Sequence, residues 1–344
     1  MAAVAPPGRT PAPSTVERLT CDLVDIDSTT GREQEVAAWL LVFLRNLGYR
    51  VSEQPVGEGR FNVFAELDAA PRVVFSTHFD CVPPFAPSRQ EGGVIFGRGS
   101  CDAKGILASQ VAAVERLRAG GESRIAMLFV AGEERGSDGA RVANDYAPEG
   151  VRFLINGEPT DNRLGIATRG VLRVKLRARG RAAHSSFPEL GESAIDKLLD
   201  ALMVLRGVAL PEDPVLGRTH YTVGLIEGGV APNVVSPGAS AEIMFRIVGE
   251  GAAVRAALNV VEPLVTIEPV LDIPAVRMHS LPGFETAVFP FTTDIPLLTR
   301  WGTPLLLGPG SIHVAHTDDE HVSVDELHQA VELYERIARQ LLEC

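Results

Sequence analysis

No stretch of about 18 uncharged apolar residues occurs in this sequence, and its longest apolar runs are broken by charges or glycines, so no membrane-spanning helix is expected. A secretory leader is not expected either. The opening MAAVAPPGRTPAPS is small and proline-rich, lacks a charged start and a long apolar stretch, and reads as a loose, disordered tail over residues 1–14. Cysteine is sparse: Cys21, Cys81, Cys101 and Cys344 lie far apart without CxxC spacing, which argues against a disulfide framework or a cysteine zinc knuckle and points to a reducing cytoplasm. No dense Lys/Arg stripe offsets a formal net charge of −12, so no nucleic-acid partner is expected. No internal repeat appears.

What is present is a folded chain too long for one core. With 344 residues and 45% apolar content, two domains are expected. Ser14 to Asp27 and Arg32 to Leu47 carry apolar residues at helical spacing, and Gly48 is placed to end the second helix. PRVVFST, RIAMLFVAG and VRFLING are short β-branched and aromatic runs bounded by turns, as buried strands require, with a helical pattern from about Ala103 to Leu117 between the first two. This alternation predicts an α/β layered domain over 15–165, resumed over 277–344 by TPLLLGPG and a helix from Val324 to Leu342. Between them, residues 166–276 change pattern and read as an inserted α+β domain.

Chemistry gathers where the strands end. His78 and Asp80 leave the first strand two residues apart, on the same face. Asp102 in GRGSCDAKG stands before a helix behind a glycine-rich approach, where it could be an N-cap or a carboxylate between two cations. Glu133 and Glu134 follow the next strand side by side, and adjacent carboxylates repel unless a cation or proton intervenes. Glu158 follows VRFLING, and GPGSIHVAHTDDEHV supplies His313, His316 and His321, one of which should complete the site. Each residue has a plain structural explanation alone. Their recurrence on successive strand ends favours a pair of borderline-hard divalent ions such as zinc.

The motifs STHFDCVP, GRGSCDAKG, AGEERGSDGA, GEPT and AHTDDEHV, in this order, make nearly the whole chain resemble the M20 metallopeptidases. The resemblance implies Asp102 bridging two Zn2+ ions per subunit, His78 and Glu158 on one, and Glu134 and His316 on the other, with Co2+ or Mn2+ able to substitute. His316 is preferred among the three histidines because it stands in the family's H-T-x-x-E pattern. Glu133 would be the general base of a metal-assisted hydrolysis, and Asp80 would hydrogen-bond the outer nitrogen of His78. The inserted domain resembles the family's dimerisation or lid domain, which implies a homodimer. Its His184 would stabilise the oxyanion, from the same subunit or its partner, while Asn233 and Arg246 would contact the substrate and its α-carboxylate. Thr293 and Asp294 lie in PFTTDIPLL, which lacks a glycine often found there, and receive no assigned role.

The implied activity is hydrolysis of a linear amide. Compact length and the GPGSIHVAHT ending resemble the deacylases of arginine and lysine biosynthesis, so removal of an acetyl or succinyl group from a small N-acyl amino acid is the leading expectation. A dipeptidase or carboxypeptidase using the same residues is the alternative. A catalytically silent relative should have lost the base or the bridge, and both are present; a structural zinc site would favour four cysteine and histidine ligands.

Overall fold

A computed structural model describes residues 15–67 and 70–343; the segment 1–14, read above as a tail, lies outside them. The chain forms two compact units. The first contains the described residues up to Ile166, Met278–Ala287, and those from Thr293 onward. The second contains Ala167–Arg277 and takes back Val288–Thr292, a return that the expected 277–344 boundary does not include. The cause is local: the Arg169 N–H donates to the Phe289 carbonyl at 3.1 Å, and Val288 packs on Ala167, Leu216 and Val248.

At the centre of the first unit four strands run parallel, in the order Ile125–Val130, Val73–His78, Phe153–Asn156 and Thr303–Leu306. Arg60–Glu66 and Arg50–Gly57 extend the sheet antiparallel beyond Ile125–Val130. Side chains alternate across it. Val73, Phe75, Met127 and Phe129 enter a core shared with the helices Val16–Val24, Gln34–Asn46, Lys104–Ala119 and Val324–Glu343. Val74, Ala126, Leu128 and Leu154 enter a second core with Ala140 and Ala143 of the helix Asp138–Asp145, and with Leu298 and Trp301. Burial on both faces explains why these strands read as unbroken apolar runs. The first two helices are shorter than their periodicity predicts: Thr15 caps one, and the chain leaves helical geometry before Asp27.

Because the central strands are parallel, the segments that follow His78, Val130, Asn156 and Leu306 emerge along one edge, where open α/β sheets collect their ligands. A separate small sheet, His321–Ser323 with Val94–Phe96 and Arg89–Glu91, brings residues 316–320 beside the loop 97–102, and the Gly97 N–H donates to the Glu320 carbonyl at 3.1 Å.

The second unit is a four-stranded antiparallel sheet in the order His220–Gly228, Gly238–Ile247, Gly170–Arg179 and Thr266–Ile273. The helices Ala194–Arg206 and Gly251–Leu258 pack on one face through Leu198, Leu205, Val254 and Leu258 against Leu172, Val174, Ile243 and Phe245. Among the described residues, no helix of either unit is long and apolar enough to cross a membrane.

Candidate metal centre

The strand-end residues of the first unit meet in two groups that share one carboxylate. His78, Asp102 and Glu158 offer ligand atoms within 4.8 Å of one another, and so do Asp102, Glu134 and His316. His78 Nε2 lies 3.0 Å from Asp102 Oδ1, whereas His316 Nε2 lies 3.3 Å from Asp102 Oδ2 and 2.9 Å from Glu134 Oε1. Each oxygen of Asp102 thus faces a different imidazole. His316 reaches its position with φ at +65°, a backbone conformation unusual outside glycine, while the exposed His313 and the half-buried His321 belong to neither group. Asp102 caps no helix: Ala103 occupies that position and the helix starts at Lys104.

The electrostatics fit two divalent cations. Burial holds Glu133 well above the usual carboxylate range, with the charges of Asp294, Glu134 and Asp102 adding to it and His78 opposing it. Burial, then the Glu133 charge, does the same to Glu158, whose Oε1 is buried without a hydrogen-bond partner among the described residues. Burial also works against Asp102, yet hydrogen bonds from His316 and His78 take it below its ordinary value. Contact with Asp102 and then Glu134 pushes His316 up to about 10. Carboxylates and imidazoles packed this tightly, one of the carboxylates keeping a buried oxygen without a partner among the described residues, make a donor set suited to metal ions.

Two supports hold these groups in place. The Asp80 carbonyl oxygen, 3.0 Å from His78 Nδ1, orients the imidazole, while the Asp80 carboxylate stands farther away at 3.5 Å. The expected partnership with His78 is therefore made chiefly by the main chain. The carboxylate instead accepts the N–H groups of Glu133 and Glu134 at 3.0 and 3.2 Å and the Thr30 hydroxyl at 2.8 Å. These bonds fix the turn that begins at Gly132, where φ is +79° and an added Cβ would strike the Asp138 carboxylate. The second support is Glu320. Its Oε1 accepts the N–H groups of Gly99, Cys101 and Asp102 at 2.9, 3.3 and 3.1 Å, and its Oε2 pairs with Arg98, all of them buried.

The remaining expected residues lie in the second unit. His184 Nδ1 accepts the Ser186 N–H at 3.1 Å, the tautomer in which Nε2 carries the ring proton. Asn233 is its neighbour, since the Ser185 N–H donates to the Asn233 carbonyl at 3.0 Å and His184 bridges Val234. Arg246 sits half-buried on the strand Gly238–Ile247, away from the helix-covered core.

Comparison with known proteins places this geometry. The model of peptidase family M20/M25/M40 matches residues 74–340. The chain belongs to peptidase family M20. It is 35% identical over 342 residues to the Peptidase M20 domain-containing protein C757.05c of Schizosaccharomyces pombe, covering 95% of this chain and 85% of that one. It is 36% identical to a protein of Aspergillus terreus named "Probable carboxypeptidase", over 92% of this chain and 84% of the other. In fold it resembles a tripeptidase from Staphylococcus aureus, with a TM-score of 0.79 at 20% identity over 96% of this chain and 99% of that one.

As a member of family M20 the chain is a hydrolase of amide bonds, and its two donor groups match a dinuclear metal site. Three residues in this site were not assigned from sequence. Glu320 is the glutamate of the H-T-x-x-E pattern, a visible signal used above only to choose His316. Thr30 in DSTTG carries no local signal. Asp294 is 1% exposed, has an Oδ1 without a partner among the described residues, and is pushed up to about 6 by burial; its contact with Ser137, in the same turn as Glu133, reveals its place.

Proposed function

We propose that this chain is a two-zinc metallopeptidase that releases the C-terminal residue of a short peptide. The observation that carries the hydrolytic part is Asp102, shared between two imidazole–carboxylate groups with Glu133 beside them. Mixed imidazole and carboxylate ligands support zinc, with cobalt or manganese as substitutes. Divalent ions held there would supply Lewis acidity toward the amide carbonyl and make a nearby water more acidic. Glu133 takes the proton of the attacking water and passes it to the departing amine nitrogen. Asp80 keeps Glu133 in position throughout, and the Nε2–H of His184 donates to the carbonyl oxygen as it gains charge.

The name of the Aspergillus terreus relative supports a carboxypeptidase over the biosynthetic deacylase that the chain ending suggested. Arg246 supports it further: burial lowers its guanidinium with no acid among the described residues offsetting the effect, as suits an anchor for a free α-carboxylate, with Asn233 as a second contact. We also propose a homodimer through the second unit. Its edge strand His220–Gly228 exposes Leu225 and Ile226, and its helix Ala194–Arg206 exposes Leu199 and Met203, an open edge and apolar face that a second copy would cover. Free thiols at Cys21, Cys81 and Cys101 support a reducing, cytoplasmic setting.

Amine release from dipeptides, tripeptides and N-acetyl or N-succinyl amino acids, with zinc-loaded and chelated protein side by side, tests this. Metal-dependent release from peptides with a free C-terminus is expected. Preference for N-acyl amino acids would return the deacylase.

A further inference from the structure

The turn that carries Glu133 and Glu134 is held from outside the metal centre as well as from within it. The Ser137 N–H donates to the Gly132 carbonyl at 2.7 Å, so residues 132–137 form a closed loop, and Asp138 opens the helix Asp138–Asp145 directly after it. The Asp138 carboxylate accepts the Gly139 N–H at 3.0 Å and pairs with Arg60, the first residue of the strand Arg60–Glu66. An added Cβ at Gly132 would strike that carboxylate and lie 3.3 Å from Arg60 Nη1, so the ion pair stands against the residue where the turn begins. Arg60 also donates to Glu33 at 3.1 Å. Glu33, whose side chain is wholly buried, accepts the Gly31 N–H at 2.7 Å, next to the Thr30 that donates to Asp80.

Arg60 therefore closes a ring. From Glu133 it runs through Asp80, Thr30, Gly31 and Glu33 to the guanidinium, and it returns through Asp138 to the turn. Several other ion pairs of the first unit join residues that their own elements already hold together. Arg18 and Asp22 lie in one helix, as do Arg339 and Glu335, while Arg50 and Glu66 face each other on paired strands. These arginines are exposed, and such pairs contribute little. Arg60 is only 14% exposed and bonds carboxylates 27 and 78 residues away in sequence. Its counterpart is Arg98, buried on Glu320 behind Asp102. A planar fork can meet two carboxylates at once, which suits a guanidinium to this junction.

We propose that Arg60 is a positioning residue for Glu133: by holding Glu33 and Asp138 together it fixes the turn at Gly132, and with it the carboxylate that takes the proton from water. This rests on the reading of Glu133 as the proton carrier of amide hydrolysis. Arg60 touches no reacting group and acts through the backbone of residues 132–138.

The test is steady-state kinetics of full-length, zinc-loaded variants on whichever amide of the peptide and N-acyl panel the wild type cleaves fastest, beside hydrogen exchange over residues 131–139. Arg60→Gln should lower kcat about 10–100-fold, the scale of a small displacement of a catalytic group, with KM unchanged. Arg60→Lys should recover part of the loss, because an ammonium reaches one carboxylate but does not fork across two. In Asp138→Asn the altered side chain is 46% exposed and Arg60 keeps Glu33, so this variant folds even where Arg60→Gln does not, and its kcat should fall about 10-fold. Exchange over 131–139 should quicken in Arg60→Gln and Asp138→Asn. Wild-type kcat in these two folded, zinc-loaded variants, or unchanged exchange over 131–139, overturns the proposal. A loss that excess zinc restores in full also overturns it, because the turn would then act through Glu134 as a metal ligand. Glu133→Gln measured in parallel separates the two assignments: full turnover there removes the proton carrier, whereas lost turnover there with wild-type kcat in the Arg60 and Asp138 variants removes the brace alone.

Discussion

The Asp80 carboxylate accepts the main-chain N–H of Glu133 at 3.0 Å, which ties the orientation of the proposed base to the residue whose carbonyl oxygen orients His78. One aspartate therefore positions an imidazole of the candidate metal centre and the proposed proton carrier together. Asp80→Ala should lower kcat about 10–100-fold and weaken metal binding, as loss of a supporting partner does. Asp80→Asn should lose less, because its amide oxygen can still accept the Glu133 N–H. Steady-state kinetics with equilibrium dialysis of Zn2+ checks both, and equal losses in the two variants would contradict the assignment.

Asp102 belongs to both donor groups, whereas His316 belongs to one. Asp102→Ala should therefore lose most of its bound zinc, while His316→Ala should keep about one ion per chain. Metal content after gel filtration reads this directly. Chelation should abolish amine release from wild type, and added zinc should restore it.

Asp294 predicts a pH-dependent stability. Its folded value of about 6 lies above the ordinary 3.8, mainly through burial, so folding favours the protonated form. The penalty is absent below about pH 4, grows as pH rises through the folded value, and is complete above it. Asp294→Asn removes the buried charge and should stabilise the protein by about 2–3 kcal/mol above pH 7, with no gain below pH 4. Urea unfolding of the chelated protein across that range gives the comparison. The Asp294 charge also helps hold Glu133 up, so the variant's acid limb of kcat should move to lower pH.

Glu320→Gln should cost about 3–5 kcal/mol, because it removes the charge that balances a buried Arg98 while weakening the acceptor for three N–H groups. Zinc affinity should fall with it, since one of those N–H groups belongs to Asp102. A loss of stability with unchanged zinc affinity would make Glu320 a purely structural residue.

The parts of this site legible in sequence are those that follow a strand within a residue or two. His78, Glu133, Glu134 and Glu158 stand directly after apolar runs, so strand assignment also placed their side chains at one edge. Asp102 and His316 were legible through their motifs. The use of Asp80 was not, because sequence spacing does not separate a carbonyl contact from a carboxylate contact. Asp294 was not legible either: it is a single aspartate in PFTTDIPLL, and its tertiary neighbours distinguish it from a surface residue. The return of Val288–Thr292 to the second unit is a five-residue packing event with no periodicity to announce it.

The most direct test is turnover and zinc content of Glu133→Gln beside wild type. Glu133 belongs to neither ligand group, so the variant should bind zinc as wild type does and lose at least about 10²–10⁴-fold in kcat, the usual share of a general base. Turnover close to wild type with both ions in place would contradict proton transfer by Glu133 and the mechanism built on it.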